Sequence, residues 1–140
     1  METERPPRVR YFTPAEANAA LPRLRELIEY ASGCYGQVRQ LVQTLRAPEP
    51  RVDPEELMGQ VEELRAEIAR VVEHIHAEGV EVKGIEEPLL DFPAMRNGRE
   101  VYLCWKSGEE HVLWWHPLST GISGRRVLDY ENLGAWEWLN

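Results

Sequence analysis

Two runs of apolar residues, spaced alternately three and four apart, constrain this chain more than any other feature. Leu21, Leu24, Ile28, Ala31, Tyr35, Val38, Val42 and Leu45 form the first; Leu57, Val61, Leu64, Ile68, Val71 and Ile75 form the second. That spacing puts each set on one stripe of an α-helix, and the stripe has to be buried. A start signal precedes each run. Thr13-Pro14-Ala15-Glu16 offers a capping hydroxyl, a proline suited to the first helical position and a glutamate that can close a capping box. Asp53-Pro54-Glu55-Glu56 repeats the logic with an aspartate cap. Between them, Ala47-Pro48-Glu49-Pro50-Arg51-Val52 is a turn, and Gly79 is a C-terminal stop. Two long helices, a short loop and matching stripes predict an antiparallel helical hairpin over residues 13–79. Pro22 removes a backbone bond to Asn18, so a kink or a short first helix is expected there.

After Gly79 the apolar period drops to two, the period of a strand. Val80–Val82, Leu89–Phe92, Glu100–Trp105 and His111–His116 are the predicted strands. Asn97-Gly98 is a strong two-residue hairpin signal, and it fixes a register. Arg96 faces Arg99, and the apolar pairs are Ala94–Val101, Phe92–Leu103 and Leu90–Trp105. The other face pairs Met95–Glu100, Pro93–Tyr102 and Asp91–Cys104, mixing carboxylates, a phenol and a thiol. Pro93 cannot donate to a ladder and belongs at an edge or a bulge. The expected architecture is one α+β domain, residues 1–140: a long antiparallel helical hairpin packed on a small antiparallel β-meander over residues 80–128, with a tail from 129 to 140. Trp136 and Trp138 suggest that the tail docks, in cis or on a partner.

The next connection, Lys106 to Glu110, allows several loops. If Trp105 faces His111, then Glu100 faces His116 and Tyr102 faces Trp114. Asp91, Glu100, Tyr102 and His116 then share one face, a polar site with aromatic walls. A one-residue slip would send His116 and Trp114 into the apolar layer. His116 with a carboxylate neighbour can be a general base or a metal ligand, against the plainer reading of a hydrogen-bonded histidine at the sheet rim. Glu109 and Glu110 sit in a turn and read as solvated. Gly121 to Arg126 is either a turn before a final strand or a backbone nest for an anion with Arg125 as clamp. His74 and His76, two apart on a helix, point to different sides and lack metal-site geometry. No metal ligand set and no cofactor are expected.

The chain of 140 residues carries a net charge of −8, with most of the acidity in the second helix and the segment after it. Without a basic block, this argues against nucleic-acid binding. No apolar run is long enough for a membrane span, and the N-terminus lacks a signal-peptide core, so a cytoplasmic location is expected. Cys34 and Cys104 fall on different elements and read as small buried thiols.

Several of these segments occur together in an ordered series: Phe12-Thr13-Pro14-Ala15-Glu16-Ala17-Asn18 with Leu21-Pro22, Leu89-Leu90-Asp91-Phe92-Pro93, Gly98-Arg99, Val101-Tyr102-Leu103-Cys104-Trp105, Gly108-Glu109, Trp115-His116 and Gly124-Arg125. The series resembles an uncharacterised bacterial family, domain-of-unknown-function family two-two-zero-three, over residues 11–128. Pro88 departs from the glycine expected before Leu89. The resemblance implies no activity. It does imply that polar residues around the sheet, Asp91, Arg99, Glu109, His116 and Arg125, help define the family, and this favours a site near the sheet.

Two readings of function follow. The favoured one is a non-enzymatic interaction or scaffold module, since no catalytic motif is complete. It would self-associate as a homo-oligomer or bind a protein partner, because the first helix outruns the second and leaves the seam near Leu21 and Leu24 to be covered. The alternative is a small-ligand, anion or metal-binding protein, or an enzyme, with its site at Asp91, Arg99, Glu109, His116 and Arg125. It requires those side chains to converge within about 10 Å.

Overall fold

The computed structural model describes residues 10–47, 49–128 and Trp138. Helix α1 spans Pro14–Arg46 and helix α2 spans Pro54–Ala77. Five strands follow: β1 (Glu81–Gly84), β2 (Leu89–Arg96), β3 (Arg99–Lys106), β4 (Trp114–Pro117) and β5 (Arg126–Val127). The sheet order is β1-β2-β3-β4-β5 with every pair antiparallel, a simple meander. The fold is therefore α+β, a helical hairpin packed on an antiparallel sheet.

Both helices begin as their sequences direct. Thr13 accepts from the Glu16 backbone N–H while the Glu16 side chain accepts from the Thr13 N–H, closing the capping box. The Glu16 carboxyl is accordingly held below its ordinary range, chiefly by the backbone hydrogen bond from Thr13. Asp53 accepts from the Glu55 N–H. Gly79 ends the α2 region at φ 91°, and its N–H donates to the His76 carbonyl. A Cβ at Gly79 would lie 2.9 Å from the Arg10 Cβ, so both the backbone angle and the space call for glycine. Pro22 does not shorten α1: the helix continues without a break past it, over 33 residues. Neighbouring Leu21 and Leu24 are fully buried, and tertiary packing of this kind outweighs the loss of one helical hydrogen bond.

The core lies between one face of the sheet and the half of the hairpin nearer the sheet. Leu21, Leu24, Ile28, Ala31, Val71 and Ile75 from the helices meet Leu90, Phe92, Ala94, Val101, Leu103 and Trp105 from β2 and β3. Each fully buried leucine, isoleucine or phenylalanine contributes roughly 1.5–3 kcal/mol relative to exposure. The seam at Leu21 and Leu24 is thus covered in cis by the sheet, which removes that ground for self-association. In the half of the hairpin away from the core the helices cover mainly each other, with Ile85 reaching over from the turn after β1, and Leu57, Leu64 and Ile68 stay partly exposed.

Asn97 (φ 51°) and Gly98 (φ 76°) form the tight turn between β2 and β3, both in the left-handed region that such a turn demands. Every predicted pair of this hairpin is present, from Arg96–Arg99 to Leu90–Trp105, with Asp91 opposite Cys104 on the other face. Pro93 sits in the middle of the sheet order but at a local edge. The β1 ladder ends at Glu81–Asp91, and the Pro93 carbonyl accepts from the Phe12 N–H at 2.7 Å. Phe12 in turn packs edge-on to Phe92 at 5.3 Å between ring centroids. A proline nitrogen facing away from β3 costs the sheet nothing.

The β3–β4 pairing differs from the expected one. Tyr102 faces His116, Leu103 faces Trp115 and Cys104 faces Trp114. Relative to a pairing of Glu100 with His116, the strand has moved by two residues, which preserves which side chains share a face. The reason is that residues 107–113 form a longer connection, pinned at both ends. Asn18 on α1 pairs with the backbone of Val112 in both directions, accepting from its N–H at 2.8 Å and donating to its carbonyl at 3.2 Å. Glu109 caps the other end, accepting from the Lys106 N–H at 2.7 Å, while its carbonyl accepts from the Trp105 indole. The tail docks in cis at one described point: Trp138 packs edge-on to Trp115 at 6.3 Å. Trp136 lies outside the described residues.

Asn18→Ala leaves the Val112 N–H and carbonyl without their side-chain partners beside a buried side chain. It should cost about 2 kcal/mol of stability, read by urea denaturation.

Candidate functional site

Alternation along β2, β3 and β4 carries a second set of side chains to the face opposite the core: Asp91, Cys104, Tyr102, His116 and Trp114. Glu81 on β1 joins them through its pairing with Asp91. Although this is the polar face, Asp91 is only 3% exposed, His116 2% and Cys104 0%. Burying a carboxylate and an imidazole together is costly unless their hydrogen bonds are made.

The hydrogen bonds of His116 are specific. Its Nδ1 lies 2.8 Å from the carbonyl oxygen of Pro117, which can only accept, so Nδ1 carries a proton. Its Nε2 is 3.2 Å from both Asp91 carboxylate oxygens. The imidazole is therefore oriented by a backbone carbonyl on one side and aimed at a carboxylate on the other. The Cys104 sulfur completes the group: one donor atom each from Asp91, Cys104 and His116 lie within 4.8 Å of one another. An outer hydrogen bond from the distal ring N–H to a carbonyl is the usual support of a metal-ligating histidine. Nitrogen, oxygen and sulfur donors on adjacent strands match the ligand set of Zn²⁺ or a related transition metal.

The surroundings are ordered by further polar contacts. The Tyr102 hydroxyl donates to Glu81, Lys83 pairs with Glu81 at 3.2 Å, and the Tyr102 ring lies 5.5 Å from the His116 ring. Burial, then the hydrogen bond to Glu81 and its charge, push the Tyr102 phenol well above its ordinary range. Burial likewise raises the Asp91 carboxyl, against the opposing pull of His116, Cys104 and Lys83. The Cys104 thiol is pushed from 9.0 up to about 12, first by burial and then by the charge of Asp91.

The structure brings together some of the residues expected from sequence and separates others. Asp91 and His116 meet directly. Glu109 and Arg125 meet each other, the guanidinium reaching both carboxylate oxygens at 2.6 and 2.7 Å and stacking over Trp114 at 4.8 Å. Glu109 is thus a half-buried structural anchor, not a solvated turn residue, while Glu110 is exposed. The Gly121–Arg126 stretch is a short 3-10 turn, Ile122–Gly124, leading into β5. Arg99 stands exposed at the β2–β3 tip, five residues from Cys104 and so roughly 17 Å along the strand. Arg99 thus stands apart, while Asp91, paired with His116, and the Glu109–Arg125 pair act electrostatically on the Cys104 thiol. The residue that sequence reasoning left out is Cys104. Its pairing opposite Asp91 was readable from the Asn97-Gly98 register, but a single buried cysteine carries no signal of its own.

Because the Tyr102, Asp91 and Cys104 shifts are all upward, the folded state holds these protons more tightly than the unfolded chain. Stability conferred by the protonated forms is present at low pH and lost as pH rises, for Cys104 between about 9 and about 12. Cys104→Ala should flatten that loss in urea denaturation of the metal-free protein across this range. At pH 8 the native protein should react with iodoacetamide at Cys104 at least about tenfold more slowly than the urea-unfolded chain.

The family model described as "Uncharacterized conserved protein (DUF2203)" matches residues 10–128, a span that contains both helices and all five strands. No curated protein and no solved structure matches the chain. On the extent of that match, the chain belongs to the DUF2203 family of uncharacterised conserved proteins.

Proposed function

We propose that this protein binds a transition-metal ion, with Zn²⁺ the best fit, through Nε2 of His116, the carboxylate of Asp91 and the thiolate of Cys104. The single observation that carries this reading is the hydrogen bond between His116 Nδ1 and the Pro117 carbonyl. It fixes the imidazole so that Nε2 points at the buried carboxylate and thiol. At 3.2 Å from both Asp91 oxygens, Nε2 needs either a proton or a cation between it and the carboxylate, and a cation there would take the ring nitrogen as a ligand. A divalent ion answers the buried negative charge of a carboxylate and a thiolate together.

Three protein donors leave a tetrahedral ion one position for water or a ligand, the arrangement in which zinc acts as a Lewis acid. Asp91, Cys104 and His116 come from three adjacent strands, so the sheet itself sets their spacing. Tyr102 and the Glu81–Lys83 pair border the site and would orient a polar ligand there. This reading takes precedence over a helix-mediated scaffold, because the seam around Leu21 and Leu24 is buried within one chain.

Isothermal titration of the metal-free protein with Zn²⁺ should give one ion per chain. Binding should release the Cys104 proton, so affinity should rise with pH, and titrations in buffers of different ionisation enthalpy should show the release. Co²⁺ should produce a thiolate-to-metal charge-transfer band in the near ultraviolet, absent in Cys104→Ala. His116→Ala should weaken Zn²⁺ by about 100-fold or more. A titration without heat and a Co²⁺ spectrum identical to that of free Co²⁺ would sink the reading.

A further inference from the structure

A second feature lies away from the sheet face and shares no residue with the metal cluster. Between the two helices, in the half of the hairpin beyond the core, is a groove of about 500 Å³. Its floor is apolar: Val38 and Val42 from α1, Ile68 from α2, and Ile85 from the turn after β1. Its rim is cationic, with Arg39 and Arg46 on α1 and Arg65 on α2. Arg39 is held by Glu86 in an ion pair that, with the Ser32 hydroxyl bonded to the Glu86 carbonyl at 3.0 Å, ties the turn to α1 as a wall of the groove. Arg46 and Arg65 are exposed and have no ion-pair partner among the described residues. In a chain of net charge −8, an apolar trough edged by two such guanidiniums is a local inversion of charge.

We infer that this groove binds a single-chain aliphatic carboxylate, a fatty-acid anion, with its chain along Val38, Val42, Ile68 and Ile85 and its head group at Arg46 or Arg65. Four considerations select this occupant. The volume falls within the range of small-molecule sites, roughly 300–1,000 Å³. A protein partner would need a face of roughly 800 Å² on each side, which a concave trough of this size does not offer. The lining runs from Tyr35 to Arg46 along α1, roughly 16 Å of helix, which suits an extended chain and not a compact polar anion. Carboxylate is the head group that a guanidinium fork engages with two hydrogen bonds.

The test is titration with laurate below its micelle-forming concentration, followed by calorimetry and by backbone amide shifts. Dodecyl maltoside serves as the same chain with an uncharged head, and acetate as the head without a chain. Laurate should bind one per chain, at least about tenfold tighter than either control. The double variant Arg46→Glu/Arg65→Glu changes only exposed side chains. It should stay folded, with a melting midpoint lowered by a few degrees because Arg46 lies in the last turn of α1, and lose laurate affinity about tenfold or more. Val42→Trp should fill the groove and abolish binding. Equal binding of laurate and dodecyl maltoside, or unchanged laurate affinity in the arginine double variant, would overturn the assignment. So would light scattering that finds a wild-type dimer split by the arginine double variant, which gives the groove to a second copy. Zn²⁺ titration of the same variants should match wild type, so this result and the metal result stand or fall separately.

Discussion

The tight turn at Asn97-Gly98 decides the layout of the sheet. Two consecutive residues at positive φ connect β2 to β3 without slack, and from that point every side chain on the two strands is assigned a face. One face receives Leu90, Phe92, Leu103 and Trp105 and becomes the floor of the core. The other receives Asp91, Cys104 and Tyr102. A slip of one residue between these strands would place Asp91 or Cys104 against the helices. The core and the polar cluster are therefore two consequences of one local constraint, and neither can be altered in register without the other.

What the polar face gains from tertiary structure is His116. Its strand is not joined to β3 by a tight turn but by seven residues, 107–113, whose path is set from outside the sheet. Asn18 on α1 acts like a short strand edge toward Val112, and Arg125, just before β5, grips Glu109. These contacts place His116 opposite Tyr102 and beside Asp91. The orientation of its ring then depends on the Pro117 carbonyl. The proposed metal centre thus draws its first two ligands from a local turn and its third from contacts made across the fold.

Helix lengths and polar loops produce a further division of labour. The sheet-proximal half of the hairpin is sealed by the core, whereas the outer half has only helix against helix, with Ile85 reaching over from the turn after β1. Apolar seam residues such as Val42 and Ile68, needed to hold the helices together, are left lining a trough. The same residues that make the hairpin make the groove, and arginines at flanking positions give it its charge.

Much of this was legible in the residues themselves. The capping box of α1, the aspartate cap of α2, the two heptad stripes, the stop at Gly79 and the whole β2–β3 register follow from interactions within a few positions of one another, so local chemistry suffices to read them. Pro22 does not end α1, because burial of Leu21 and Leu24 outweighs one lost helical hydrogen bond. Glu109 misled because a turn residue was read as solvated when its partner, Arg125, is sixteen positions away. Cys104 was placed correctly opposite Asp91 yet carried no weight until His116 arrived beside them. The sequence by itself determined the two helices, the β2–β3 hairpin and which face each β2 and β3 side chain occupies, because turns, caps and periodicity are short-range. Only the tertiary structure decided the β3–β4 register, the convergence of Asp91, Cys104 and His116 and the groove between the helices. Each of these depends on contacts between segments far apart in the chain, as with Asn18 and Val112, and no local pattern encodes such a contact.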